Sequence, residues 1–271
     1  MIFPIGDDQV KGGTFPMFSY AFIAINVIVF FIQLAYQAEG SLICEFGCVP
    51  NEVVAGDDYM SLITSMFMHG GWMHLIGNML FLWVFADNIE AVVGNFNFFV
   101  FYVFGGLFAS VAHIYFSYSP DIASLVDCCS ACSDMSCEGM TAHCPGSIPS
   151  VGASGAISAV LGAYLVMFPQ SKVKVLVLYF MRTFKVPALW FLGFWIAQQL
   201  FSGFASLGPE TAATGGTAWW AHIGGFVFGV VAGFFARDKG ASAWQPEVPA
   251  ADSNVPSREE PPTKYDDGDM V

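Results

Sequence analysis

Six long stretches without a charged residue constrain the fold of this chain more than any other feature. Each stretch exceeds the roughly 20 residues that an α-helix needs to cross a bilayer. Only 11% of the 271 residues are charged, whereas about a quarter are charged in soluble domains. The stretches cover residues 12–38, 59–86, 91–120, 139–171, 186–209 and 211–236. They predict an all-α polytopic membrane protein, a bundle of six transmembrane helices in one domain.

The basic residues predict how this bundle lies in the membrane. With six crossings and a cytoplasmic N-terminus, all nine Lys and Arg residues fall on the cytoplasmic side, as the positive-inside rule requires. We therefore expect a cytoplasmic lead (1–16), a membrane domain (17–238) and a cytoplasmic tail (239–271). The Pro-rich, acidic composition of the tail predicts disorder. The expected location is the plasma (inner) membrane, as a multi-pass protein.

The composition also indicates what the protein contacts. Its net charge is −13, and it has no basic cluster that could bind phosphates, which argues against a nucleic-acid partner. The lipid bilayer is the partner that the apolar stretches indicate. Within the first outer loop, the segment from Tyr59 to Trp72 is too apolar for a free loop. This segment is predicted to lie in the membrane interface.

All seven cysteines fall in predicted outer loops, five of them in a loop that covers residues 119–150. Because disulfides are the default in an oxidising compartment, all seven are disulfide candidates, and we predict at least one disulfide within residues 128–144. Since seven is odd, at least one thiol is free or pairs between chains. Zinc binding that includes His143 is an alternative, although the spacing matches no standard zinc pattern. The cysteines are Cys44, Cys48, Cys128, Cys129, Cys132, Cys137 and Cys144.

A serine and a histidine lie at the same predicted depth in two different helices. Ser154 begins the fourth helix, which ends before Pro169, and His222 lies in the sixth helix. Counting 1.5 Å per residue from the cytoplasmic ends places each about 21 Å above the cytoplasmic boundary. Serine becomes a nucleophile when a base such as histidine takes its proton, so the pair is a candidate catalytic dyad. The alternative is that both are incidental residues in packing surfaces.

Small residues predict close contact between these two helices. The sixth helix has Ala221, Gly225 and Gly229 at four-residue spacing, and the fourth helix has Gly155 and Gly162. Such patterns of small residues allow two helix backbones to approach closely. The small residues flank the candidate dyad, which favours catalysis over two unrelated packing positions.

Two polar residues of the second helix (72–86) share one face of that helix: His74 and Asn78. With the Ser154 backbone amide, they are candidate donors to negative charge on a substrate carbonyl. The alternative for Asn78 is a hydrogen bond between helices, and His69 in the preceding turn is interpreted as a structural loop residue. The predicted crossings contain no acidic residue that could orient the histidine, so we expect a dyad rather than a triad.

The chain resembles the rhomboid family of intramembrane serine proteases over roughly residues 17–238. The resemblance implies Ser154 as the nucleophile and His222 as the general base. It implies an oxyanion site made of His74, Asn78 and the Ser154 amide. It also implies cleavage of single-span transmembrane proteins near the outer face, often at small residues. Three motifs carry the resemblance: His69–His74 followed by Asn78, Gly152–Gly155, and Ala221–Gly225 followed by Gly229.

The sequence departs from the family pattern at three places. Many members have an aromatic residue four positions after the serine that stacks on the histidine, where this chain has Ser158. Many members have a Trp-Arg pair in the first outer loop, where this chain has Tyr59 and Met60. The cysteine-containing loop is also atypical. These departures concern the support of the histidine and the rigidity of the loop rather than the dyad.

The expected function is therefore an intramembrane serine endopeptidase that uses neither a cofactor nor a metal. One alternative is a membrane transporter with a polar site at the midplane. Another is a catalytically silent rhomboid-like protein that binds transmembrane partners. A transporter would more often show an internal repeat, and we find none in this sequence. A silent relative would be expected to lack Ser154 or His222, and both are present.

Overall fold

The computed structural model describes residues 2–8, 10, 13–36, 42–118, 146, 148–207 and 217–243. Nine α-helices and three strands lie in these residues, and a 3₁₀ turn (Ser65–Phe67) follows α4. The helices are α1 (Met17–Ala35), α2 (Leu42–Phe46), α3 (Pro50–Ala55), α4 (Ser61–Thr64), α5 (Trp72–Val93), α6 (Asn95–Ser117), α7 (Ser154–Met167), α8 (Ala188–Ala205) and α9 (Trp219–Ala243). The strands are β1 (Ile2–Gly6), β2 (Lys172–Val177) and β3 (Arg182–Pro187).

The predicted bundle of six apolar helices is confirmed. Five of the described helices, α1, α5, α6, α8 and α9, are long and apolar enough to cross a membrane. The remaining helix of the six, α7, is apolar but has only 14 residues. At 1.5 Å per residue it is about 21 Å long, less than the roughly 30 Å of a hydrocarbon core. A helix of this length cannot cover the full thickness of such a core.

Helix α7 is the centre of the bundle, because 11 of its 14 residues are buried. It begins after Gly152, whose φ of 124° is a conformation that favours glycine, and it ends before Pro169. Being buried on nearly all sides, α7 cannot show an amphipathic pattern, and its sequence reads as a continuous apolar run. The residue at its start, Ser154, is itself half-buried.

Glycines bring α7 and α9 into backbone contact. A Cβ added at Gly229 would lie 2.8 Å from the Cα of Ala159, and one at Gly162 would lie 2.9 Å from the backbone N of Val230. A Cβ at Gly225 would meet the carbonyl oxygen of Gly155. Side chains larger than hydrogen at these positions would push the two helices apart.

Gly155 and Ala221 lie where the contact between α7 and α9 begins, in the first turn of each helix. A Cβ added at Gly155 would lie 2.7 Å from the Cβ of Ala109 in α6 and 3.8 Å from the Cβ of Ala221 in α9. The tightest contact at Gly155 is therefore with α6, whereas the spacing of small residues predicted a contact with α9. Three helices meet at this position, within the first turn of α7.

The second membrane helix is longer than predicted. The prediction ended it at Ala86, but α5 continues to Val93 and includes Glu90. Glu90 is fully buried, and its carboxylate accepts hydrogen bonds from the backbone N–H groups of Phe18 (2.8 Å) and Ser19 (2.7 Å). These groups belong to the first turn of α1, where the helix dipole favours negative charge. The charge is thus compensated and does not end the helix.

Glu90 does not change the expectation that the histidine lacks a carboxylate partner. It lies 16 residues after His74 in the same helix, which corresponds to about 24 Å along the axis. The carboxylate is therefore close to the end of α5 remote from the candidate dyad.

The lead and the loop between α7 and α8 form a small sheet that was not predicted. Strand β2 pairs with β1 and β3, and both pairings are antiparallel. Val173 and Val175 of β2 are buried against the bundle, whereas Lys172 and Lys174 are exposed. This alternation of Lys and Val is a strand pattern that the sequence already contained. The sheet packs against the helical bundle through Val173 and Val175.

The described part of the loop between α1 and α5, which is predicted to lie outside, contains short helices. It is hydrogen-bonded to the segment that precedes α7. Cys48 and Ser150 exchange two backbone hydrogen bonds, of 2.9 and 2.8 Å, and Gly152 N donates to Ser65 O at 2.9 Å. The loop thus fixes the segment that leads into Ser154. Its Tyr59 is 64% exposed, and the location of this loop in the membrane interface stays a prediction.

The two cysteines of the loop between α1 and α5 differ in their bonding. Cys44 is disulfide-bonded. Cys48 is a free, buried thiol, so its prediction as a disulfide partner is wrong. Burial raises the pKa of Cys48 to about 11, which keeps the thiol protonated and unreactive. The other five cysteines and His143 lie outside the described residues, and the disulfide predicted within 128–144 lies there too.

Candidate active site

Ser154 and His222 meet where α7 and α9 begin. Ser154 is the first residue of α7, and His222 lies in the first turn of α9. The Ser154 Oγ and His222 Nε2 atoms are 2.8 Å apart, which is a hydrogen-bond distance. The serine hydroxyl can therefore donate to an unprotonated Nε2.

Gln199 of α8 contacts the other nitrogen of the same imidazole. Its Oε1 lies 2.8 Å from His222 Nδ1, and the Gln199 side chain is buried. Gln199 was not among the site residues predicted from the sequence. A signal was available, because a glutamine inside an apolar membrane helix is costly and marks a candidate functional position.

Two tryptophan rings flank His222. The Trp195 ring of α8 is 5.8 Å from the imidazole, centroid to centroid, and the Trp219 ring stands nearly perpendicular to it at 6.4 Å. Ser158, which occupies the position of the aromatic residue in many family members, instead donates to the Ser154 carbonyl oxygen at 2.6 Å. The aromatic support of the histidine therefore comes from α8 and α9 rather than from α7.

His74 of α5 presents a donor toward the segment before Ser154. The Gly70 backbone N–H donates to His74 Nδ1 at 3.3 Å, so the proton of the neutral ring is on Nε2. A Cβ added at Gly152 would lie 2.7 Å from that Nε2. The positive φ of Gly152 and this close approach both require glycine at that position.

Asn78 lies beside His74 and is held by His69. Asn78 Nδ2 and His69 Nε2 are 2.9 Å apart. Burial, reinforced by the neighbouring His74, lowers the pKa of His69 to about 4, so its ring is neutral and its Nε2 can accept. One Asn78 N–H then points to His69, and the second remains available to another acceptor. His69 is thus a structural residue, with a contact to Asn78 that the sequence did not reveal.

The site combines a hydroxyl, a base and hydrogen-bond donors around one short segment. An added Cβ at Gly152 would lie near both His74 and Asn78, and Ser154 follows two residues later. Such an arrangement can take a proton from the hydroxyl and donate hydrogen bonds to an oxygen atom. In the described parts of the chain, no group of three His, Cys, Asp or Glu residues could hold a metal ion.

Comparison with known proteins identifies relatives of this chain. A family model described as Rhomboid domain matches residues 56–239. Rhomboid protease GluP of Bacillus subtilis is 29% identical over 152 residues, which are 55% of this chain and 24% of that protein. Rhomboid protein 1, mitochondrial, of Saccharomyces cerevisiae is 28% identical over 216 residues, which are 80% of this chain and 52% of that protein. The chain spans about half or less of the length of these relatives.

The matched region runs from the loop between α1 and α5 to α9 and includes every residue of the site described above. It covers more than half of the chain, and the helical bundle agrees with it. This chain, a multi-pass membrane protein, therefore belongs to the rhomboid family of intramembrane proteases.

Proposed function

We propose that the protein is a serine-type intramembrane endopeptidase that cleaves transmembrane proteins. Ser154 is the nucleophile and His222 the general base. The observation that carries the proposal is the 2.8 Å contact between Ser154 Oγ and His222 Nε2, made by residues 68 positions apart in the sequence. Family membership supports the same reaction class.

The proposed acylation step uses the contact between Ser154 and His222. The Ser154 Oγ attacks the carbonyl carbon of the scissile peptide while its proton passes to His222 Nε2. The electron pair of the carbonyl bond moves to the oxygen, giving a tetrahedral intermediate. When this collapses, the C–N bond breaks and His222 gives its proton to the leaving amine. The acyl group remains on Ser154, and water removes it by the same sequence of proton transfers.

Three donors would stabilise the negative oxygen of the intermediate. His74 supplies its Nε2–H, Asn78 supplies the N–H that does not point to His69, and Ser154 supplies its backbone N–H. The first N–H groups of a helix lack partners within the helix and lie at its positive end. Because Ser154 begins α7, its amide is suited to this role.

The substrates that suit the site are single-span transmembrane proteins within the bilayer. The nucleophile lies at one end of the short α7, about 10 Å below one surface of a hydrocarbon core. Cleavage is proposed near that surface, at small residues. We further propose that this is the outer surface, with both termini in the cytoplasm, because all Lys and Arg residues then fall inside. One relative is named as mitochondrial, so assignment to the plasma membrane is part of the proposal.

The test is cleavage of a single-span substrate by the purified, reconstituted protein. We expect the wild type to cleave, Ser154→Ala to be inactive, and Ser158→Ala, which removes a serine one turn away, to keep most of the activity. Cleavage by Ser154→Ala would overturn the mechanism. No cleavage by the wild type, together with retained binding of the substrate, would instead favour a catalytically silent member of the family.

A further inference from the structure

Gln199 is the group that occupies the Nδ1 side of the candidate base. We propose that Gln199 is a positioning residue: its Oε1 accepts the Nδ1–H of His222 and holds the imidazole in the tautomer whose Nε2 is free to accept from Ser154. The proposal rests on the proposed roles of Ser154 and His222. It adds a third residue, from a third helix, to the dyad.

The geometry places His222 between two partners at equal distances. Ser154 Oγ lies 2.8 Å from Nε2, and Gln199 Oε1 lies 2.8 Å from Nδ1. Gln199 is 4% exposed, so its contact with His222 is shielded from bulk solvent. Ser154 is on α7, His222 on α9 and Gln199 on α8, which means that three helices must be in place for both contacts to form.

Hydrogen-bond chemistry fixes the direction of both contacts. A neutral imidazole has one N–H and one lone pair, on different nitrogens. For Ser154 to give its proton to Nε2, that nitrogen must carry the lone pair, so the proton must be on Nδ1. A buried N–H needs an acceptor, and the amide oxygen of Gln199 can only accept. Without Gln199, the opposite tautomer, which donates from Nε2, would be populated as well.

Gln199 lies on the face of α8 that packs against α9. Trp195, Gln199 and Gly203 are spaced four residues apart and lie on one face of α8. The Trp195 ring lies beside the His222 ring, and a Cβ added at Gly203 would lie 2.9 Å from Ile223 Cδ1. Trp195, one turn before Gln199, and Gly203, one turn after it, thus both contact α9. The adjacent Gln198 is exposed and does not share this face.

The acceptor on the Nδ1 side of His222 is the neutral amide of Gln199 and not a carboxylate. Among the residues that the structure describes, the ionisable side chains whose charge would act on His222 are His74 of α5 and His113 of α6. An amide differs from the carboxylate of a serine-protease triad because it orients the ring without stabilising the imidazolium by charge. If Gln199 served only to fill a polar gap between helices, its replacement would change stability but not the tautomer.

The test combines kinetics with nitrogen NMR on the intact protein in detergent micelles. Gln199→Met keeps the length of the side chain but removes the acceptor, and Gln198→Met is the matched control on the exposed face. We expect Gln199→Met to lower kcat on a single-span substrate about 10- to 100-fold, the rate equivalent of one buried hydrogen bond. KM should change little, and Gln198→Met should behave as the wild type.

Gln199→Glu is the conservative replacement that retains an acceptor. It should recover part of the activity that Gln199→Met loses. Its carboxylate also stabilises the protonated ring, so the acidic limb of the kcat profile should move to higher pH. Gln199→Met and Gln199→Glu with normal kcat and unshifted pH profiles would overturn the proposal.

The NMR measurement is independent of turnover. With ¹⁵N-labelled histidine, and His222 assigned by its loss in His222→Gln, we expect the wild type and Ser154→Ala to show the proton of His222 on Nδ1. A wild-type ring protonated at Nε2 would overturn the role of Gln199 even if the enzyme is active. A wild type without activity but with the Nδ1–H tautomer would contradict the proposed function and leave the positioning role supported.

Discussion

Gln33 of α1 and the backbone of His69 exchange two hydrogen bonds. Gln33 Nε2 donates to the His69 carbonyl oxygen at 3.1 Å, and the His69 N–H donates to Gln33 Oε1 at 3.0 Å. Both residues are buried. One side chain of α1 thus satisfies the backbone of the turn before α5, and this turn carries the ring that holds Asn78.

Replacing Gln33 with leucine should therefore destabilise the protein and disturb the site. The variant leaves a buried N–H and a buried C=O without partners, each costing about 1–3 kcal/mol. We expect a lower unfolding temperature in detergent micelles and reduced turnover per folded molecule, because His69 and then Asn78 lose their fixed positions. Gln198→Leu, on the exposed face of α8, is the control and should change neither quantity. Equal behaviour of the two variants would show that the paired hydrogen bonds do not matter.

The lowered pKa of His69 predicts an acid-dependent loss of stability. The pKa is about 4 in the folded protein, against an ordinary value of 6.5. Between these values the unfolded chain binds a proton that the folded chain does not, so stability falls as the pH drops from about 6.5 to 4. Protonation also turns Nε2 from an acceptor into a donor, which breaks its contact with Asn78.

This prediction is checked by unfolding wild type and His69→Gln between pH 7 and pH 4. Glutamine can accept a hydrogen bond but does not titrate, so the variant should lose less stability over this range. The difference between the two proteins isolates His69 from the carboxylates, which titrate in both. Parallel curves for the two proteins would contradict the burial of a neutral imidazole.

Catalysis and packing make different predictions for His74 and Asn78. If they donate to the oxygen of the intermediate, His74→Ala and Asn78→Ala should each lower kcat about 10²–10³-fold, with substrate binding little changed. The double variant should lose less than the sum of the two, since both donors serve one oxygen. Met73→Ala, at an exposed neighbouring position, is the control. Variants with normal turnover but lower unfolding temperatures would assign both residues to helix packing.

Much of the fold followed from the sequence because lipid imposes simple rules on it. The absence of charge defined the six crossings, and small residues at fixed spacing indicated that α7 and α9 touch. Glu90 shows where these rules stop. A carboxylate marks the end of an apolar run, but this one is compensated by the N–H groups of Phe18 and Ser19, more than 70 residues away. Only the three-dimensional contact reveals that the helix continues.

The reacting residues of the candidate site could be predicted from the sequence, but the residue that holds His222 could not. Ser154 and His222 stood out as polar residues beside glycines in apolar helices. Gln198 and Gln199 are adjacent in a helix that is apolar all round, and no sequence pattern tells which of them faces the bundle. The contact of Gln199 depends on how α8 rotates against α9. That rotation is set by the fit of side chains between the helices, which sequence periodicity does not encode.

The closeness of α7 and α9 leads to a last prediction, which tests whether the glycines set the geometry of the dyad. In Gly229→Ala, the added methyl group meets the backbone of Ala159, and backbone cannot move as a flexible side chain does. Overpacking of this kind costs about 1–3 kcal/mol, and the separation of the helices should also lengthen the contact between Ser154 and His222. We expect a lower unfolding temperature and a lower rate of reaction of Ser154 with a small fluorophosphonate, which needs no substrate docking. Gly77→Ala is the control, because nothing lies within 4 Å of a Cβ at that position of α5; its effect should stay within the roughly 1 kcal/mol of the helix-propensity difference. If Gly229→Ala melts and reacts as Gly77→Ala does, then the close approach of the two helices does not determine the dyad.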